Sequence, residues 1–194
     1  MYAYLQGKFT FKNPAQLYVD VNGVGYEVNI SLNTYGAVQN LADGRLYTYL
    51  QVKEDGHTLF GFFDKIEKEI FVQLISVSGI GAATARMMLS HMKPHEVKRA
   101  ILENNVKLLE SIKGIGKKTA ERLVLELRDK VGKGTPDVNT TIVAGNSLQQ
   151  DALNALVALG ISKQQAESAL QKLNNAQPSI NNLEELIKKA LKSI

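Results

Sequence analysis

Through Phe63 apolar residues tend to alternate with polar ones; beyond it they recur every three or four positions. Met1 to Thr10, Gln16 to Val21, Gly25 to Ile30, Leu46 to Lys53 and His57 to Phe62 are each rich in β-branched or aromatic residues, which predicts five strands. Asn22-Gly23 separates the second and third, and a type I′ hairpin turn needs positive φ at both such positions. Glu54-Asp55-Gly56 forms a second tight turn between the fourth and fifth. Five strands joined in this way predict a small barrel of the OB type.

From Asp64 the spacing is helical. Ile66, Ile70, Phe71 and Leu74 share one face of a first helix, apolar spacing resumes at Met87 to Leu89 and Val97 to Leu102, and Leu123, Val124, Leu127 and Val131 mark a last one. The stretch from Gly132-Lys133-Gly134-Thr135-Pro136-Asp137 to Gly145-Asn146 is small, polar and turn-rich, with only Ile142 and Val143 to bury, and predicts a tether. Three helices follow: Leu148 to Leu159 stopped at Gly160, Ser162 to Asn174 opened by the capping box Ser162…Gln165, and Asn182 to Ile194. In the last, Leu183, Leu186, Ile187, Ala190, Leu191 and Ile194 are in register. The expected fold class is α+β and multidomain: a five-stranded OB-like barrel over 1–63, an all-α domain over 64–131, a flexible linker over 132–147 and a three-helix module over 148–194.

Composition narrows the chemistry. The chain has no cysteine, which excludes disulfides, thiolate metal sites, iron–sulfur clusters and cysteine nucleophiles, and its 3 histidines leave little for zinc or a triad. His91 and His95 are spaced as a helical pair but have Pro94 between them and read as surface residues. No window has the roughly 18 consecutive apolar residues of a membrane span, and the first residues are not a secretory signal, so a soluble cytoplasmic protein is expected. All 7 Tyr and all 6 Phe lie between Tyr2 and Phe71, so the chain has two kinds of core. Net charge is −1 over residues 1–63, +4 over 64–132 and +1 over 133–194. The central excess fits a polyanionic partner or, equally, a solvated surface of mixed charge.

A repeat favours the first of these. Displacing the sequence by 35 residues aligns Leu74, Ser76, Gly79, Ile80, Gly81, Thr84 and Ala85 with Leu109, Ser111, Gly114, Ile115, Gly116, Thr119 and Ala120. Each copy reads helix, Gly-Ile-Gly, helix. The glycines permit a turn without Cβ atoms, so N–H groups opening the second helix can closely face an anion such as a phosphate oxygen. Ile80 and Ile115 point inward and lock each hairpin to the domain. The second copy adds Lys113, Lys117, Lys118 and Arg122. A Walker A loop fails because position 111 is Ser and Gly116 precedes Lys-Lys, and the dinucleotide fingerprint lacks its third glycine at Thr119. An ordinary αα turn would explain one Gly-x-Gly; two in tandem beside a basic flank read as helix-hairpin-helix motifs that bind DNA backbone without reading sequence.

Three other readings are weaker. A helix-hairpin-helix DNA glycosylase or lyase would use Lys118 as nucleophile with Asp137, but Asp137 stands in the tether. A single-strand binder would stack bases on Tyr2, Tyr4, Tyr18 or Tyr47, whose alternation with polar residues reads instead as core and interface packing. Glu54 and Asp55 alone lack the further oxygen ligands of a Mg²⁺ site.

The order of barrel, tandem hairpins, tether and three-helix module resembles that of the RuvA family of Holliday-junction DNA-binding proteins. The likeness runs the whole length and rests on Gly23-Val24-Gly25-Tyr26-Glu27-Val28, Glu54-Asp55 with Leu59-Phe60-Gly61-Phe62, Gly114 through Leu123, and Ala155-Leu156-Val157-Ala158-Leu159-Gly160. It implies a non-catalytic homotetramer, or a face-to-face pair of tetramers, on four-way junction DNA. It also implies partnership with the hexameric ATPase RuvB in branch migration, with the resolvase RuvC as a further candidate partner and no cofactor or metal. Gly79, Ile80, Gly81, Gly114, Ile115 and Gly116 would then grip phosphates, reinforced by Lys117, Lys118 and Arg122. Glu54 and Asp55 would be an acidic pin at the junction centre. Leu156, Leu159 and Ile161 of a UBA-like C-terminal module would dock RuvB. Ala82-Ala83 stands where relatives can carry a lysine, so the first hairpin is expected to rest on backbone donors and Arg86, with the second dominating.

Overall fold

Five strands close a barrel in the order β1-β2-β3-β5-β4. They are β1 (Tyr4–Lys12), β2 (Gln16–Val21), β3 (Val24–Ile30), β4 (Asp43–Lys53) and β5 (Gly56–Phe62). This computed structural model describes residues 2–132, 146–176 and 182–193; the expected linker lies, apart from its ends, outside the described residues, as do Asp137, Ile142, Val143 and Ile194. Asn22 (φ 52°) and Gly23 (φ 88°) turn β2 into β3. Only β3 and β5 pair in parallel, which requires a crossover between them. On that path lies a helix the sequence reading did not contain, α1 (Leu32–Val38), capped by Ser31, whose Oγ accepts from the Thr34 N–H at 3.0 Å.

Inward residues of the strands, among them Leu5, Leu17, Val19, Val28, Ile30 and Leu46, fill the barrel. A bulge between Phe9 and Phe11 shifts the register of β1 against β2. Phe9 stays in the core, while Phe11 is turned outward onto Tyr18, ring centroids 4.7 Å apart.

The helical part comprises α2 (Lys65–Ile75), α3 (Ala82–His91), α4 (Pro94–Leu102), α5 (Val106–Glu110) and α6 (Lys117–Gly132). Its core runs into the barrel: the Phe71 ring packs against those of Phe62, Phe60 and Tyr49, at 4.8, 5.1 and 5.5 Å. Residues Met1–Thr135 accordingly form one compact unit, and Pro136–Ile194 a second. The face expected for α2 needs one correction. Ile66 is 44% exposed, and the residue buried with Ile70, Phe71 and Leu74 is Glu67. Spacing of i, i+3, i+4 and i+7 runs from 67, and a polar partner on α1 makes the charged residue tolerable there.

In the second unit α7 (Asn146–Ala158), α8 (Lys163–Ala176) and α9 (Leu183–Ser193) surround Ala152, Leu156, Ala166, Ala169, Leu170, Leu186 and Ala190. Ser162 caps α8 by accepting from the Gln165 N–H, but its hydroxyl donates to the Gln165 side chain, so the reciprocal half of the capping box is not made. Among the described residues no helix is long and apolar enough to cross a membrane.

Candidate nucleic-acid interface

The 35-residue repeat persists down to single hydrogen bonds. Ile80 N–H donates to Val77 and Ile115 N–H to Ile112, at 3.1 and 3.0 Å; Ala85 N–H donates to Gly81 and Ala120 N–H to Gly116, both at 2.9 Å. Ser76 and Ser111 hydroxyls each reach back three residues at 2.7 Å. Gly79 and Gly114 have φ of +93° and +92°, a conformation that costs other L-residues about 1–2 kcal/mol. Ile80 and Ile115, expected to grip phosphates, are 5% and 4% exposed and spend their N–H groups on these turn bonds, so the free amides belong to the residues that follow them.

The four hairpin glycines face solvent. Gly81 is the N-cap of α3 and has no side chain to satisfy the helix's first amides. Because the first intrahelical bonds come from Ala85 and Ala120, the N–H groups ahead of them lack helical acceptors. Their partial positive charge suits an anion. Lys113, Lys117, Lys118 and Arg122 are exposed around the second hairpin. The hairpins also lie side by side: a Cβ added at Gly79 would stand 3.9 Å from the Thr119 hydroxyl and one added at Gly114 4.0 Å from Thr84. Equivalent residues thus face each other reciprocally.

Arg86 departs from expectation. Its Nη1 donates to Asn29 Oδ1 at 2.8 Å and to the Ala15 carbonyl at 3.2 Å, so the side chain turns to the barrel instead of reinforcing the first hairpin. Tyr2, Tyr4 and Tyr18 are likewise exposed and not core: Tyr2 precedes β1, Tyr4 and Tyr18 lie on outward strand positions, and Arg45 stacks over Tyr4 at 4.4 Å. His91 and His95 are exposed.

Pairing of β4 with β5 continues to Lys53 and Gly56, leaving Glu54 and Asp55 as the two exposed residues of the turn. They form a compact negative tip.

In the second unit only part of the expected docking set is available. Leu156 is fully buried and belongs to the core. Gly160 (φ +93°) and Ile161 close α7 by donating their N–H groups to Val157 and Leu156, at 3.0 and 3.1 Å. In this Schellman arrangement Ile161 packs back on the core that holds Leu156, a helix-stop role. Leu159, 63% exposed, is free, as is Val157, which the sequence reading did not assign to docking.

Glu67 escaped the sequence reading altogether. Its carboxylate accepts from the Ser31 hydroxyl and, at 2.7 Å, from that of Thr34. Thr34 Oγ1 in turn accepts from the Phe63 N–H at 3.0 Å, so the group joins α1, the end of β5 and α2. Burial raises the Glu67 pKa; the two hydroxyls oppose the shift, and nearby Asp64 adds to it.

Comparison with known proteins covers the chain in three parts. Residues 1–61 match a family described as RuvA N terminal domain, 71–129 a SAM-like helix-hairpin-helix tandem, and 147–194 RuvA, C-terminal domain. Proteins named Holliday junction branch migration complex subunit RuvA match end to end. That of Cytophaga hutchinsonii is 45% identical over 197 residues, with 99% of each chain covered. That of Christiangramia forsetii is 44% identical over 194, and that of Bacteroides fragilis 40% over 202, with both chains fully covered in each case.

Proposed function

The chain belongs to the RuvA family, and from that premise we propose that it binds four-way DNA junctions by their shape and supports branch migration. The reciprocal hairpin pair carries this reading. Two equivalent, solvent-facing amide clusters beside Lys117, Lys118 and Arg122 suit consecutive phosphates, and such contacts hold no base code. A protein past which DNA must slide needs that indifference to sequence.

Selection of a junction over duplex then comes from symmetry. Four copies around a crossover present identical hairpins to four arms. The Glu54-Asp55 turns meet at its centre, where carboxylates repel phosphates and keep exchanging strands in separate arms. The chain supplies recognition without catalysis in the cytoplasm, and the RuvB ATPase supplies the work. Leu159 and Val157 are the apolar side chains on which the motor docks, and a second tetramer and the RuvC resolvase are further partners.

Competition between a synthetic four-way junction and a linear duplex of equal length tests the reading. The junction should displace the duplex at matched salt, and replacing Glu54 and Asp55 by Gln and Asn should alter junction processing while sparing duplex affinity. Equal affinity for both DNAs counts against it.

A further inference from the structure

Polar contacts bind the far half of α3 to the barrel and to α1, the helix between β3 and β4. Arg86 Nη1 donates to Asn29 Oδ1 on β3 and to the Ala15 carbonyl ahead of β2. Ser90 Oγ accepts from the Leu32 N–H at 3.1 Å and donates to the Arg86 carbonyl at 2.8 Å. The Asn33 amide donates to the Leu89 carbonyl and, at 3.0 Å, to that of Met92. These contacts fall on successive turns along α3, and Arg86 stands about 7.5 Å along the helix from Gly81. The helix whose first turn carries the first hairpin's free amides is therefore referenced to the barrel.

The second hairpin is not. Among the described residues no hydrogen bond or ion pair joins α6 to the barrel; Arg122 reaches Ser78 and Glu126, both within the helical part. Beside the apolar seam at Phe71 and the Glu67 group, both on α2, the polar bearing between the barrel and the hairpins passes through α3, and from the first hairpin to the second through the Arg122–Ser78 bond and the core that both share.

We propose that Arg86 and Asn29 are positioning residues for junction selection, fixing the angle at which the hairpins stand to the Glu54-Asp55 turn. The proposal rests on the phosphate-gripping reading above. A duplex lying on the hairpins needs no barrel and is indifferent to that angle. A junction engages hairpins and acidic turn together, so an error in the angle weakens junction binding alone. The guanidinium is suited to the task because a charge-assisted bond to Asn29 and a second to a main-chain carbonyl fix it from two directions.

The test uses the full chain with Asn29→Ala, Asn29→Asp and Arg86→Ala, titrated by fluorescence anisotropy against a labelled four-way junction and a duplex of equal length at several salt concentrations. Asn29→Ala and Arg86→Ala should lower the junction-to-duplex affinity ratio at least about fivefold, in line with loss of one hydrogen bond to a charged group. Duplex affinity should stay within about twofold, and Asn29→Asp, which keeps the acceptor, should retain the ratio. Asn29→Ala leaves the Arg86 charge in place, so a loss there cannot come from a missing phosphate contact. If Arg86→Ala fails to fold, as judged by its melting curve, the Asn29 pair decides. An unmoved ratio in Asn29→Ala overturns the proposal. So does an Arg86→Ala variant whose duplex affinity and salt slope fall while Asn29→Ala matches the parent, since Arg86 would then be a phosphate ligand. Undiminished duplex binding by Lys117→Glu/Lys118→Glu in the same assay would instead overturn the hairpin reading beneath it.

Discussion

Arg122, on the helix that follows the second hairpin, donates from Nη1 to the carbonyl of Ser78 in the first, 3.4 Å away. One cation therefore stands at the border of both amide clusters. Arg122→Ala should weaken DNA binding and shallow the dependence of log K on log salt by roughly 0.9, the slope of one lost phosphate contact. Its side chain is more than half exposed and its ion pair with Glu126 is long, so the melting temperature should hardly move.

Lys117→Glu with Lys118→Glu should have a larger effect of the same kind, roughly 0.9 in slope for each contact removed. Filter binding over a salt series measures it. An unchanged slope would place the DNA face elsewhere.

Gly114 and Gly116 stand two residues apart but should fail differently. At Gly114 (φ +92°) alanine has room but the wrong backbone, so Gly114→Ala should cost stability by about 1–2 kcal/mol. At Gly116 a Cβ meets nothing within 4 Å, so Gly116→Ala should keep stability and lose DNA affinity, because the added methyl group would project into the solvent from which the DNA backbone must approach this exposed turn. Urea denaturation and DNA titration of both variants check the pair, and the reverse pattern would refute the assignment.

Glu67 makes a pH prediction with a definite sign. Its folded pKa lies above the ordinary 4.5. Below that value both folded and unfolded chains are protonated there. Between it and the raised value only the folded chain holds the proton, so this group's contribution to stability falls as pH rises through that window and is level above it. Glu67→Gln removes the titration. Its urea midpoint minus that of the parent should become more positive from about pH 4 upward and then plateau; a flat difference contradicts the buried titration.

Leu156 and Leu159 should separate folding from docking. Leu156→Ala opens a cavity in a small core and should cost about 2–5 kcal/mol. Leu159→Asp should leave melting unchanged and abolish stimulation of the RuvB ATPase. Retained stimulation would move the docking face.

What was legible in the sequence followed local chemistry. Asn22-Gly23 can hardly do anything but turn, and the Gly-Ile-Gly repeat announced both hairpins, because these are properties of short segments. What was missed depended on contacts remote in sequence. Glu67 went unassigned because no local pattern shows Ser31 and Thr34 waiting 36 and 33 residues upstream. Arg86 looked like a DNA ligand for want of Asn29, 57 residues away. Helix α1 has its Ser31 cap as a local signal, but at seven residues it is too short for periodicity to reveal. Ile161 looked like a docking contact because a Schellman staple and an exposed patch use the same apolar residue after the same glycine.

Phe71 is the ring on which Tyr49, Phe60 and Phe62 converge, and it is also the last aromatic residue in the chain. Near-ultraviolet dichroism is consequently a reporter for the first unit, weighted toward the junction of barrel and helices. The C-terminal helices are optically silent in that band, and their melting must be followed by backbone signals or an introduced dye.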